Sequence, residues 1–313
     1  MNGAAYAPRI PFWLRLIPFF LSSILFLSAF LAIFSPLPII ILGLMGTSAQ
    51  RSYVQRGWAL LACVINSAIV FLLGGEVTLA TYLVFALAPA WVMIELLARR
   101  KRLGTVAGGA FLSIAAAIGL VILFYAQIHH VHPWGEVKNA VSQFMDYWVK
   151  AVSSSGNLPV QDPAELDDMK KTLMTELPSA VAVIAVMIVW ANLTIVLRLN
   201  PRNIRQRLGI RTDFFQTWKA PDWMVWPTIL TGATLLTDLG VATDVGRNFF
   251  KVFMAIYAIQ GLGILSFFMT RWRINKFFRT VGYLVAVLIA MPLLLSLGFF
   301  DLWFDFRSKF RQS

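Results

Sequence analysis

Charge is scarce in this sequence. Only 13% of its 313 residues are Asp, Glu, Lys or Arg, and the acids number 15 against 27 bases. With 58% hydrophobic residues and a mean hydropathy of +0.72, there is too little polar surface to cover a water-soluble globule of this size. Cysteine is scarcer still: Cys63 stands alone, which excludes an intrachain disulfide and a thiolate metal cluster. The three histidines, His129, His130 and His132, crowd one place. Such close neighbours rarely point at one ion, and neither a cysteine nor a correctly spaced carboxylate completes a tetrahedral set, so no metal and no cofactor is expected. The runs G-x-x-x-x-G-K-[ST], H-E-x-x-H and G-x-S-x-G are all missing. No arginine ladder marks a voltage sensor. Catalysis is therefore not expected of this chain.

What is present is apolar length. A helix needs about 20 apolar residues to cross a ~30 Å hydrocarbon layer, and the runs of this chain allow about eight to nine crossings. The expected fold is an all-α polytopic transmembrane helix bundle in three regions. An N-terminal membrane half covers 1–127, with spans near 16–34, 58–73, 77–98 and 104–127 and a short or re-entrant run at 37–50. A polar segment covers 128–178, and a C-terminal membrane half covers 179–313, with spans near 179–197, 223–239, 249–269 and 281–300. The breaks carry their own signals. Ser35-Pro36-Leu37-Pro38 interrupts the ladder because proline cannot donate and restricts its predecessor. Gly74-Gly75 marks a turn between two spans.

The basic residues sit in short clusters between apolar runs. This is the pattern of the positive-inside rule and not the continuous basic face of a nucleic-acid binder. Arg99-Arg100-Lys101-Arg102 is the densest cluster and fixes that end in the cytoplasm, which places the N-terminus inside as well. Against this, Arg307, Lys309 and Arg311 at the tail also favour the inside, which alternate crossings satisfy only if 37–50 re-enters. The segment from His129 to Pro178 is the exception to the apolar chain, with seven acids against four lysines. Val137, Val141, Phe144, Trp148 and Val152 recur at helical spacing. Asp162-Pro163 opens a second pattern through Leu166, Met169, Leu173 and Leu177, with Ser153 to Asn157 as the bend. An extracytoplasmic amphipathic helical hairpin is expected.

Small residues point to close helix packing: Gly104, Gly108 and Gly109 in one span, Gly261 and Gly263 in another. A partner helix of the same chain and a dimer face are both open. Polar groups within lipid are expensive and face a cavity or another helix. Glu95 lies four residues before Arg99 and reads as an intrahelical pair. Asn192, Gln260 and Asp238 are the candidate ligand-binding residues, although Asn66, Asn192 and Gln260 also suit interhelical bonding. Trp218, Pro221, Trp223 and Trp226 form an aromatic approach at the membrane boundary.

Three stretches carry a resemblance: Pro36-Leu37-Pro38 after the first span; Trp218-Lys219-Ala220-Pro221-Asp222-Trp223; and Gln260-Gly261-Leu262 together with Gly298 to Arg307. Through them nearly the whole chain resembles the YybS-like family of bacterial membrane proteins, a domain of unknown function. That family is distantly similar to the substrate-binding membrane subunits of energy-coupling-factor transporters and to the rod-shape protein MreD. The resemblance implies the bacterial cytoplasmic membrane, and on the transporter reading a membrane or ATPase coupling subunit in trans. It brings no known ligand. Within it Asp301 and Arg307 are expected to pair at the interface, where a solvated pair contributes little. The function expected is that of a transporter-like module binding a small solute; the alternative is a scaffolding protein of the envelope.

Overall fold

Among the described residues every regular element is a helix. Lipid imposes this outcome, because a helix bonds its own backbone and leaves nothing for absent water to satisfy. A computed structural model describes residues 17–45, 49–153, 163–199, 204–210, 213–237 and 239–310, without the side chains of 49–53, 148–153, 163–166 and 207. Among the described residues four helical stretches are long and apolar enough to cross a membrane: Val54–Ala98, Leu103–His129, Asp167–Leu199 and Val241–Arg271. The bent pair Lys276–Leu288 and Met291–Phe304 makes a fifth if counted as one span. The protein is an all-α, multi-pass membrane helix bundle.

The chain divides into two units, Met1–Phe124 with Met187–Thr212, and Tyr125–Val186 with Asp213–Ser313. Residues 187–212 cluster with the N-terminal part of the chain.

In the first unit the expected span 16–34 is not continuous. Helix α1 (Pro18–Leu27) has 10 residues, about 15 Å at 1.5 Å per residue and half the hydrocarbon thickness. Ala29 then takes a positive φ of 51°, and a 3-10 turn at Ala32–Phe34 leads into α2 (Pro36–Leu44). Helix α3 (Ala49–Tyr82) contains Gly75 at φ 74°, outside helical geometry. The chain turns back there, since Arg56 meets Glu95 at 3.0 Å and Val70 packs with Tyr82 and Ala86. The hydrophobic stretch Val54–Ala98 is therefore an antiparallel pair about the Gly74-Gly75 turn. Its second arm runs through a π-helical turn at Leu83–Leu87 into α4 (Ala88–Ala98). Glu95 also bonds Arg99 at 2.5 Å, the pair the spacing predicts.

Helix α5 (Leu103–His129) buries Val106, Ala110 and Ile114, one face at four-residue spacing. Gly109 lies against Leu96, whereas a Cβ at Gly104 or Gly108 would meet nothing within 4 Å. Larger side chains take the packed face of this helix among the described residues, and Gly104 and Gly108 lie off it.

In the second unit α6 (Pro133–Ser153) buries Val141 and Met145 while Phe144 points outward. The buried strip is thus narrower than the sequence pattern. Helix α7 (Pro163–Leu199) runs through Pro178 without ending, although the sequence places a segment boundary there. Proline removes one ladder bond and displaces the next, and here Asn248 mends the gap. Its Oδ1 accepts from the Ser179 N–H at 2.8 Å and its Nδ2 donates to the Thr175 carbonyl at 2.8 Å. Lys251 bonds Glu176 beside it at 2.5 Å, and Lys170 of α7 meets Asp146 of α6 at 3.0 Å. The bend proposed at 153–157 and the cap at Asp162 lie at or beyond the edge of the described residues.

After the short helices α8 (Ile204–Arg207) and α9 (Phe214–Thr217) come α10 (Val225–Thr234) and α11 (Val241–Arg271). The expected last span 281–300 is corrected. It is broken between α12 (Lys276–Leu288) and α13 (Met291–Phe304), which meet at 93°. Pro292 in the first turn of α13 accounts for the break, because its ring and missing N–H cannot continue the preceding helix. A last turn, α14 (Phe306–Lys309), follows. Helices α11 and α13 approach backbone to backbone. A Cβ on Gly261 would clash with the Leu294 carbonyl, and one on Gly298 with the carbonyl of Tyr257.

Gly298→Ala is therefore expected to lower thermal stability in detergent by several degrees, an overpacking loss of about 1–3 kcal/mol. Gly104→Ala, facing open space, should change it by less than about 1 kcal/mol, with the sign favouring the variant.

Candidate functional site

The most concentrated buried polar group in the described residues lies where α11, α13 and the Gln216–Ala220 stretch converge. Gln260, Asp301 and Arg307 form it. Gln260 and Asp301 have no exposed surface and Arg307 has 2%. The close approach at Gly261 and Gly298 brings the two helices near enough for the Gln260 Nε2 to donate to Asp301 Oδ2 at 3.1 Å. Past the end of α13 the chain turns at Asp305, a non-glycine residue at φ 37°, a conformation aspartate tolerates better than most. That turn sends Arg307 back to its own helix end. Its Nη2 donates to Asp301 Oδ2 at 2.5 Å, and its Nη1 donates to the carbonyls of Gln216 at 3.0 Å and Trp218 at 2.8 Å. The remaining Asp301 oxygen accepts from the Phe306 N–H at 3.0 Å, and Gln260 Oε1 accepts from the Ala220 N–H at 2.7 Å.

The arrangement satisfies Asp301 and Gln260 from within, and leaves Arg307 Nε buried without a hydrogen-bond partner among the described residues. A carboxylate buried in an apolar unit is tolerated only with its charge paired and its lone pairs occupied, and Asp301 has both. The paired Asp301 and Arg307 are buried, so the expectation of a solvated pair is corrected: the αL turn at Asp305 folds the guanidinium back onto Asp301 and the carbonyls of Gln216 and Trp218. On its outer side Lys219 bonds Asp305 at 2.8 Å. That hydrogen bond holds the Asp305 carboxyl below its ordinary range, with smaller help from Ser308 and Arg307. Pro221 continues this segment in extended geometry, while Trp223 and Trp226 are exposed at its far end.

The other candidates fall elsewhere. Asn192 is buried in the first unit, where its Nδ2 donates to the carbonyls of Ile33 and Ile188, each at 2.8 Å. Its Oδ1 and the nearby Ser35 Oγ are buried with no hydrogen-bond partner among the described residues. Asp238 lies outside the described residues. Asn192 and Gln260 belong to different units, so each is bonded within its own surroundings. Gly263 is a second close approach, 2.8 Å from the Phe215 carbonyl for a Cβ built there. A surface concavity along α7 is lined by Asp168, Met169, Thr172, Leu173, Glu176, Leu177 and Ala180, and contains none of the sequence candidates.

Asn248 and Ser22 escaped the sequence reading, while Asn66 makes interhelical bonds of the kind its position suggests. Asn248 was hidden among polar residues at the start of α11, although Pro178 inside a helical pattern signals that some group must replace a ladder bond. Ser22 donates to the Ser35 carbonyl at 2.7 Å and contacts the Tyr82 hydroxyl at 2.7 Å. Asn66 accepts from the Ser23 N–H at 2.8 Å and donates to the Pro18 carbonyl at 3.2 Å.

Comparison with known proteins yields one match. Residues 15–302 fit a family model described as "Predicted membrane protein (DUF2232)". No curated protein and no solved structure matches the chain.

Arg307→Met strands a buried carboxylate and is expected to cost about 3–5 kcal/mol, read as loss of the folded species on heating in detergent. Combining it with Asp301→Asn should recover part of that loss, since the two groups are coupled. For Asp305→Asn the expected loss is under about 1 kcal/mol at pH 7, because the pair with Lys219 is partly exposed. Asp305 has a lowered folded-state pKa, so its contribution is complete above the ordinary aspartate value of about 3.9. It disappears as pH falls through the lower folded value, and melting curves of the two proteins should converge in strong acid.

Proposed function

The chain belongs to the DUF2232 family, the YybS-like bacterial membrane proteins, and from that premise we propose that it works as a transporter-like module that binds a small solute in its N-terminal unit. One observation carries the reading. The discontinuous segment of α1, the 3-10 turn and α2 is held by Asn66 and Asn192, and two buried oxygens there, Ser35 Oγ and Asn192 Oδ1, have no partner among the described residues. Broken helices with spare polar atoms at membrane depth are where transporters seat small polar solutes. On this reading Asn192 contacts the solute. Gln260, saturated by Ala220 and Asp301, positions helices and does not bind. The chain carries no catalysis of its own and engages a membrane or ATPase coupling subunit in trans. In the cytoplasmic membrane, the N-terminus lies inside and the 128–178 segment outside.

A second reading, a scaffold of the envelope with no transported ligand, is favoured by the Gln260–Asp301–Arg307 group, whose hydrogen bonds all go to one another and to the backbone. Native mass spectrometry of the purified protein separates them. A retained small molecule, lost in Asn192→Leu while the variant stays monodisperse, is the expected result. An intact wild-type protein that carries no small molecule, or one retained equally by Asn192→Leu, sinks the solute reading.

A further inference from the structure

Helix α12 does not behave as part of a crossing. Its 13 residues reach only about 20 Å, and it meets α13 at 93°. At 100° per residue, Phe277, Val281, Leu284, Val285 and Leu288 fall on one arc, and all are exposed. The opposite side holds Gly282, where a Cβ would clash with the Met269 side chain, and the buried Ala286. That side is packed, so the apolar arc is the free one. Lys276 lies on the flank between them, Arg279 lies beside Ala286 on the packed side with its Nη2 on the Met269 carbonyl, and Arg273 and the exposed Trp272 precede the helix.

These cations are crowded. No aspartate or glutamate occurs between Asp244 and Asp301. Among the described residues Arg273, Lys276 and Arg279 have no ion pair, and Arg279 Nε is buried without a partner, its Nη2 making one long bond of 3.4 Å to the Met269 carbonyl. They also stand at the N-terminal end of α12, capped by Asn275, where the helix dipole disfavours positive charge. An anionic surface relieves both the mutual repulsion and the dipole.

We infer that α12 lies in the plane of the membrane interface, its Phe277–Leu288 arc in the acyl region, and that Arg273, Lys276 and Arg279 bind the phosphates of anionic phospholipid headgroups. A free apolar arc with a cationic flank and a tryptophan beside it has the character of an interfacial helix and not of a span. The inference is independent of the solute reading.

The test uses the full chain with Cys63→Ser, carrying single nitroxide labels at 277, 281, 284 or 288, in vesicles of phosphatidylcholine with one quarter phosphatidylglycerol. Equal immersion depth at the four sites is expected. Depth rising by about 1.5 Å per residue along the helix overturns the inference. Native mass spectrometry with each lipid added then reads selectivity. Phosphatidylglycerol should be retained over phosphatidylcholine, and each charge removed by Arg273→Gln, Lys276→Gln or Arg279→Gln should lower that preference about fivefold. Equal retention of the two lipids by the wild type overturns the headgroup assignment. Should Arg273→Gln or Arg279→Gln fail to fold, the exposed Lys276→Gln alone decides, and an unchanged preference overturns the headgroup assignment.

Discussion

In hydrocarbon a backbone carbonyl or N–H that leaves the helical ladder finds no water, and each unsatisfied group costs several kcal/mol. This chain breaks its helices repeatedly and mends them with side-chain amides. Asn66 joins Ser23 N–H and the Pro18 carbonyl, Asn192 reaches the Ile33 carbonyl, and Asn248 bridges Ser179 N–H and the Thr175 carbonyl. All three use the same device. The second N–H of each amide returns to the carbonyl four residues earlier in its own helix, at Ala62, Ile188 and Asp244, which fixes the side chain in the orientation that serves the neighbour. Gln260 does the equivalent for the Ala220 N–H, with Asp301 holding its other end.

The two units use this device to different ends. In the second, the amide, carboxylate and guanidinium partners build a network around the backbone groups of residues 216–220, with Arg307 Nε left unpartnered among the described residues. Glycine makes that network possible: without a hydrogen at positions 261 and 298, α11 and α13 could not bring Gln260 and Asp301 within bonding distance. In the first, two oxygens are left over beside a broken segment, and the functional reading rests on that surplus.

The class of protein was legible in composition alone, since apolar fraction and the spacing of arginines leave no other solvent. The turn at Gly74-Gly75 was legible because only glycine takes φ 74° comfortably, and the Glu95–Arg99 pair because helical spacing dictates it. The family was legible in the motif around Trp218 and Gln260, and so was the association of Asp301 with Arg307, though not its burial. What escaped was set by partners distant in sequence. Pro178 reads as a stop until Asn248, 69 residues from Ser179, supplies the missing bond. The run 281–300 reads as one span because hydropathy does not register a bend at Pro292. Spacing places the glycines at 104 and 108 on one face without revealing which neighbour it meets.

The position of Arg307 has a temporal consequence. The carbonyls of Gln216 and Trp218 wait for a guanidinium that follows them by 91 and 89 residues. At ribosomal speeds of about 5–20 residues per second that interval is roughly 5–20 s. During it this corner is unfinished, and the nascent chain must be sheltered by water at the membrane boundary or by the insertion machinery until Arg307 arrives.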